Sequence, residues 1–191
     1  HFNWNFWWIR HALTTPGLNV YETNFVLFPY TTNLAYHTLT PFWYPLWALT
    51  EPLIGTLASM NLIYVVSMTL TGYFCFLLLL REKVSVGLAL AGGALFLLTP
   101  TMFMSVMVAQ INYVALFWYP LQLLLWGQVA RYADEDWRSV AWTIVQGVAL
   151  YAMMMTDYQH ILFAAFLLLP YGVLTLFRAK TLQACLRLAG L

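Results

Sequence analysis

Long apolar runs separated by short clusters of charge dominate the chain. No Asp, Glu, Lys or Arg interrupts residues 56–80, and a charged tripeptide follows at 81–83. Such a run is long enough to cross a hydrocarbon core of about 30 Å with some tilt. The other uncharged runs cover residues 84–100, 111–130, 139–156 and 161–177. The pattern predicts five transmembrane helices, packed as a bundle over residues 56–177.

The two ends of the chain follow a different pattern. Residues 1–55 hold five of the eight prolines, at 16, 29, 41, 45 and 52. Prolines this dense interrupt any continuous helix, so they predict an extracytoplasmic segment of short interfacial helices and turns. One bent span over residues 36–55 is the alternative. Residues 178–191 carry Arg178, Lys180 and Arg187 and are predicted to form a cytoplasmic amphipathic tail.

The composition agrees with a membrane protein. The chain is 62% hydrophobic and 8% charged, which predicts an all-α polytopic integral membrane protein. A net charge of +1 argues against nucleic acid as a partner and leaves membrane lipid as the expected one. Cys75 and Cys185 lack metal-ligand spacing, so we expect two reduced thiols and no metal site. The chain opens at His1 without an initiator Met or a signal peptide, and we expect a fragment of a longer protein.

The charges sort to two sides of the predicted bundle. Alternating the five spans places the loops 81–83, 131–138 and 178–187 together, with seven of the eight Lys and Arg residues. The positive-inside rule makes this side cytoplasmic. The outer side receives Glu22, Glu51, Asp157 and all four His. Arg10 is almost the only basic partner on this side, and unpaired acids beside apolar surface are candidates for acid–base chemistry, although hydrated loop residues explain them equally well.

The connection at residues 156–160, Thr-Asp-Tyr-Gln-His, is the most informative polar stretch. It lies between two uncharged runs, so Asp157 is predicted at a bilayer surface or in a wet cavity. His160 shares the helical face of Asp157 if a helix begins there. The structural alternatives are that Asp157 caps that helix and that His160 is an interfacial hydrogen-bonding residue. Glu51, directly before Pro52, is predicted to start a helix.

Several short motifs occur in an order that resembles a known family. They are Asn3-Trp4-Asn5-Phe6-Trp7-Trp8, Leu27-Phe28-Pro29, Asn33-Leu34-Ala35-Tyr36-His37, Pro52-Leu53-Ile54-Gly55, Ala58-Ser59-Met60-Asn61-Leu62, residues 96–100, Trp118-Tyr119-Pro120-Leu121 and Thr156-Asp157-Tyr158. Together they resemble the GT-C superfamily of bacterial membrane glycosyltransferases, in its YfhO-like and protein-O-mannosyltransferase-like branches. The resemblance implies a multi-pass enzyme of the bacterial cytoplasmic (inner) membrane. It would transfer a sugar from a polyprenyl-phosphate carrier at the outer face. The catalytic acid usual in such enzymes would lie upstream of His1.

The resemblance also implies roles for residues of this chain. A carboxylate would take the proton from an acceptor hydroxyl, and cations or hydrogen-bond donors would stabilise the departing phosphate. The candidate catalytic carboxylates are Asp157 and Glu22, and Arg10 is the candidate phosphate partner. The candidate ligands of sugar hydroxyls are His37, Asn33, His160, Gln110 and Asn112. We expect Asp157, Glu22 and Arg10 to converge on one cavity. The sugar donor is the only cofactor implied, and a need for a divalent metal stays open.

Two other functional classes compete with this one. The chain could be a non-catalytic structural subunit of a larger membrane complex, binding pigment or lipid through His37 or His160. Pigment ligation usually uses a His within a span, whereas these His cluster at one surface. A transporter would instead require polar residues at mid-membrane in broken spans, and the apolar runs contain few.

Overall fold

The computed structural model describes residues 2–35, 37–133 and 136–178. The chain is mostly helical, at 73%. Residues 179–191, nearly all of the predicted cytoplasmic tail, lie outside the described residues. The elements in chain order are α1 Phe2–Thr14, β1 Glu22–Leu27, β2 Tyr30–Asn33, a 3-10 turn Pro41–Trp43, α2 Tyr44–Ile54, α3 Thr56–Arg81, α4 Val86–Leu97, α5 Pro100–Met107, α6 Trp118–Arg131, α7 Asp136–Thr156 and α8 Tyr158–Arg178.

Two described helices are long and apolar enough to cross a membrane. They are α3, with 26 residues, and Trp137–Thr156 of α7, with 20 residues. α4 and α5 together are also long and apolar enough to cross a membrane, but the chain bends by 43° at the Leu98–Thr99 break between them. They form a third candidate only if the pair counts as one broken span. The described apolar part of α8, Tyr158–Val173, is shorter. The described residues therefore contain two or three candidate spans, and the finer prediction of five is not confirmed.

The helix observed within the predicted span 111–130 is shorter than predicted. Residues 108–117 form turns, and α6 begins only at Trp118 and has 14 residues. Pro120 lies in the first turn of α6, where a missing backbone N–H is tolerated. The turns carry Asn112 and Tyr113, whose side chains bond to the start of α8. A helix over this whole stretch would have removed both contacts.

The N-terminal segment is not purely helical, so the all-α prediction is wrong in this part. β1 and β2 form a two-stranded antiparallel hairpin, with Glu22 opposite Asn33 and Leu27 opposite Tyr30. The strands are rich in Thr, Val, Phe and Tyr, which favour the extended chain. Pro16 and Pro29 lie between elements of the segment and Pro41 begins the 3-10 turn, as predicted, whereas Pro45 and Pro52 lie within α2 and do not interrupt it.

One aromatic cluster joins the N-terminal segment to the helices. Phe6 of α1 packs on Trp47 of α2 at 5.6 Å between ring centroids, and Phe42 packs on Trp118 of α6 at 5.1 Å. The same buried cluster includes Met153 near the end of α7. Residues of the predicted segment 1–55 and of the predicted bundle 56–177 therefore share a core.

Arg81 marks one end of the helices. Its Nη1 donates to the backbone carbonyls of Leu123 and Leu124 in α6, at 3.1 and 3.2 Å. A Cβ on Gly127 would lie 1.7 Å from its Nη2, so the guanidinium occupies the space that this glycine leaves. The ends of α3 and α6 and the start of α7 thus lie together. Asp157 lies at the other end, because α7 is about 30 Å long.

Candidate functional site

Asp157 sits between α7, which ends at Thr156, and α8, which begins at Tyr158. Its Oδ1 accepts the backbone N–H of Gln159 at 2.9 Å. This is the bond of a helix N-cap, in which a short acidic side chain satisfies an N–H of the first turn. The capping interpretation of Asp157 is therefore confirmed, and the cap fixes the direction of the carboxylate.

The second carboxylate oxygen of Asp157 is held from the turn before α6. Asn112 Nδ2 donates to Asp157 Oδ2 at 2.6 Å. Both residues are buried, with Asp157 only 3% exposed. Asn112 Oδ1 has no hydrogen-bond partner among the described residues. A carboxylate offers about four acceptor positions, so two bonds leave Asp157 able to accept more.

His160 connects the same elements. Its Nε2 lies 2.8 Å from the backbone carbonyl of Asn112, and its Nδ1 lies 2.8 Å from the Tyr119 hydroxyl. A carbonyl only accepts, so Nε2 carries a hydrogen, and Nδ1 of the neutral ring then accepts from Tyr119. Both ring nitrogens are engaged within the protein. The predicted binding of a sugar hydroxyl by His160 would require one of these bonds to break.

An open cleft of about 170 Å³ lies against Asp157. One wall comes from the end of α7 and the start of α8, and the other comes from the N-terminal segment. The lining residues are Tyr21, Ala35, His37, Thr38, Leu39, Thr40, Pro41, Met154, Met155, Thr156, Asp157 and Tyr158. The structure thus brings together Asp157 and His37, which are 120 positions apart in the chain.

His37 is oriented by Asn5 of α1. Asn5 Nδ2 donates to the backbone carbonyl of Thr38 at 2.7 Å, which identifies its Oδ1 as the acceptor facing His37. His37 Nε2 lies 3.0 Å from that oxygen and donates to it. Burial lowers the pKa of His37 below its ordinary value of 6.5, so the ring is neutral at neutral pH. A neutral imidazole on the cleft wall can bind hydroxyl groups, but it adds no positive charge.

Arg10 lies in a different cluster. Its Nη1 bonds to Glu51 Oε2 at 2.8 Å, and its guanidinium stacks 4.3 Å above the ring of Trp47. Thr56 Oγ1 donates to the other Glu51 oxygen at 3.1 Å. The bond from Arg10 lowers the pKa of Glu51. Glu51 lies in the last turn of α2, so its predicted place at a helix start is wrong; this pair instead joins α1 to α2.

The other predicted site residues lie outside the cleft. Glu22 is exposed at the start of β1. Asn33 is exposed, and its Oδ1 accepts the backbone N–H of Ala35 at 2.8 Å in a local turn. Gln110 is exposed in the turn after α5. Of the three residues expected to converge, Asp157 is the one that lines the cleft, whereas Glu22 and Arg10 do not.

Five residues of the polar network were not among the predicted site residues. Trp118 Nε1 donates to Thr156 Oγ1 at 3.0 Å, and the hydroxyl of Tyr113 donates to Gln159 Oε1. Tyr119, bound to His160, is the fifth. Burial, and next the charge of Asp157, raise the pKa of Tyr113. The sequence signal that could have identified Tyr113 and Tyr119 is their position, with Asn112, as polar residues within the uncharged run 111–130.

The described residues contain no group of three or more His, Cys, Asp or Glu side chains that could hold a metal ion. Comparison of the sequence with protein-family models and with curated proteins, and of the fold with solved structures, finds no match.

Proposed function

We propose that the chain forms the acceptor-binding side of a membrane glycosyltransferase of the GT-C type. A sugar would pass from a polyprenyl-phosphate carrier to an acceptor hydroxyl at the outer face of a bacterial cytoplasmic membrane. The observation that carries the proposal is the position of Asp157. Its oriented carboxylate lies on the wall of an open cleft, in a helical protein with two or three candidate membrane spans.

The proposed role of Asp157 is that of a general base. A base must lie within about 2.6–3.2 Å of the hydroxyl whose proton it takes, and positioned bases contribute roughly 10²–10⁴-fold to rate. Asn112 and the N–H of Gln159 hold the carboxylate in one orientation, which favours a fixed approach of the acceptor. His37, on the same cleft, would hydrogen-bond a neighbouring hydroxyl.

The size of the cleft favours the acceptor rather than the donor. Its volume of about 170 Å³ is below the roughly 300–1,000 Å³ of drug-sized ligand sites. It fits one small polar unit and not a lipid-linked sugar with its phosphate. The described residues that line the cleft include no Lys or Arg, and Arg10 is paired with Glu51. The donor phosphate would therefore bind elsewhere in the protein.

A structural subunit of a larger membrane complex is the second candidate, and a specific observation favours it. Both carboxylate oxygens of Asp157 and both ring nitrogens of His160 already have partners inside the protein. These bonds join α8 to the turn before α6 and need no ligand to explain them. In this case Asp157 would serve stability alone.

A transfer assay with two carboxylate variants separates these functions. The full chain in lipid nanodiscs would be given a radiolabelled polyprenyl-phosphate hexose and a mixture of hydroxylated peptide and glycan acceptors. Asp157→Asn should lower label transfer by at least about 100-fold, because the amide cannot take a proton. Glu22→Gln is the matched control and should transfer at the wild-type rate. Equal transfer by Asp157→Asn and wild type would refute the proposed base.

A further inference from the structure

The β1–β2 hairpin ends in an apolar tip. Val26, Leu27, Phe28 and Tyr30 are 51%, 60%, 80% and 76% exposed, and Pro29 lies between the last two. We propose that this hairpin tip, residues 26–30, inserts into the lipid headgroup and upper acyl region of the membrane. The inference concerns a surface of the chain and does not rest on the sugar-transfer proposal.

The base of the hairpin is anchored, so the exposed tip has a defined position. The ring of Phe25 packs against Trp7, Trp8 and His11 of α1, at 5.7, 5.7 and 6.0 Å between centroids. Thr23 is buried at the base. An isolated two-stranded hairpin is marginally stable in water, and packing against a helix is what stabilises it. The contacts with α1 supply that packing and leave the tip uncovered by any described residue.

The composition of the hairpin tip favours lipid as its partner. Residues 23–50 contain no Asp, Glu, Lys or Arg. Exposed hairpins of water-facing proteins usually carry charges, Lys above all, that prevent edge pairing. Aromatic rings with few charges are typical of the membrane interface.

Further exposed apolar side chains lie at the same end of the helices. Leu49 and Leu53 of α2 and Leu57 in the first turn of α3 are exposed, at 72%, 82% and 72%. α3 is a candidate span, and its first turn lies opposite the Arg81 end, as Asp157 does. Apolar side chains at this end are therefore expected at the level where a span leaves the bilayer.

Insertion of the hairpin tip would hold the cleft at the membrane surface. Tyr21 lines the cleft and directly precedes β1. The chain from the lipid-bound tip to the cleft wall is a single strand, which is stiff over so short a length. A ligand of the cleft would thus meet it close to the lipid headgroups.

Collision measurements with a spin label test the insertion. In a background of Cys75→Ala and Cys185→Ala, a nitroxide would be attached to Phe28→Cys at the tip and, separately, to Asn33→Cys at the base of the same hairpin. Both positions are exposed, and Asn33→Cys removes only the local bond from the Ala35 N–H, so circular dichroism would check that each labelled protein keeps its fold. In nanodiscs of phosphatidylethanolamine and phosphatidylglycerol, oxygen concentrates in lipid and a nickel chelate stays in water.

The expected result is a ratio of oxygen to nickel-chelate collisions several times higher at position 28 than at position 33. Equal ratios would place the tip in water and overturn the proposal. Protection of position 28 from both reagents would also overturn it, because a second copy or another protein would then cover the tip. Leu27→Cys, labelled in the same way, gives an independent reading if the Phe28→Cys protein does not fold.

Discussion

Replacing Asp157 by alanine should cost more stability than a typical surface substitution. The change removes the N-cap bond to Gln159, which is worth about 1 kcal/mol. It also leaves the buried Asn112 amide without an acceptor, at a cost of about 1–3 kcal/mol. We expect Asp157→Ala to lower the free energy of unfolding by about 2–4 kcal/mol. For a chain of this size, that corresponds to a fall of about 5–15 °C in the thermal midpoint.

Asparagine at the same position should behave differently. Asn is as good an N-cap as Asp, so the bond to Gln159 survives. The new amide NH₂ would face the Nδ2 of Asn112, but rotation of Asn112 presents its unpartnered Oδ1 instead. We therefore expect Asp157→Asn to lie within about 1 kcal/mol of wild type, the size of one neutral hydrogen bond.

Thermal unfolding of the full chain in detergent micelles, followed by circular dichroism, measures both effects. Asn112→Ala removes the other partner of the same bond and should also lower the midpoint. Its control is Asn61→Ala, because Asn61 is exposed on α3 and its replacement should change the free energy of unfolding by no more than about 0.5 kcal/mol. The double variant Asp157→Ala with Asn112→Ala should be less destabilised than the two single effects added, since they share one bond. An unchanged midpoint for Asp157→Ala would show that these bonds do not hold α8.

Three further predictions follow from the surroundings of the cleft and from the helix contacts. His37→Gln should flatten the pH dependence of stability: burial lowers the folded-state pKa, so stability is full above the ordinary value of 6.5 and is lost as pH falls through the folded pKa. Midpoints of both proteins between about pH 5 and pH 8 would show this, and identical slopes would contradict it. Gly127→Ala should destabilise by about 1–3 kcal/mol because its Cβ would displace the guanidinium at the end of α3, whereas Gly147→Ala, which meets nothing within 4 Å, should stabilise by up to about 1 kcal/mol. Unfolding curves of the two variants, compared with wild type, should therefore shift in opposite directions. Arg10→Gln should lower the midpoint at neutral pH by removing the partner of Glu51. Because the pKa of Glu51 is lowered in the folded state, the difference from wild type should be full above the ordinary value of 4.5 and shrink as pH falls from there through the folded-state pKa. A difference that stays constant with pH would rule out the ion pair as its cause.

Local patterns accounted for part of the fold. The uncharged run 56–80 became α3 and the run 139–156 became most of α7, because a long apolar stretch satisfies its backbone within a helix. The run 111–130 did not become one helix. Its first residues form turns, in which Asn112 and Tyr113 bond to the start of α8. No local sequence pattern predicts bonds to residues so distant in the chain. The sequence does not predict the β-hairpin, because prolines as dense as those around it indicate turns and short helices.

The candidate site likewise combines a residue whose role the local sequence indicates with one whose role it does not. Asp157 stood out because a carboxylate between two apolar runs must be hydrated or hydrogen-bonded, and its capping role follows from the residue that comes next. Arg10 could not be assigned in this way. It is the one Lys or Arg in residues 1–55, and only the packing of α1 on α2 shows that Glu51 pairs with it.

The sequence by itself determined that this chain is helical and apolar enough for a membrane, and that the polar stretch at residues 156–160 lies where two helices meet. These features depend on residues a few positions apart, whose periodicity and charge act locally. Only the tertiary structure decided that His37 shares a cleft with Asp157, that Asn112 holds its carboxylate, and that residues 26–30 extend as an uncovered tip. Each of these depends on contacts between distant segments, which packing of the whole chain selects.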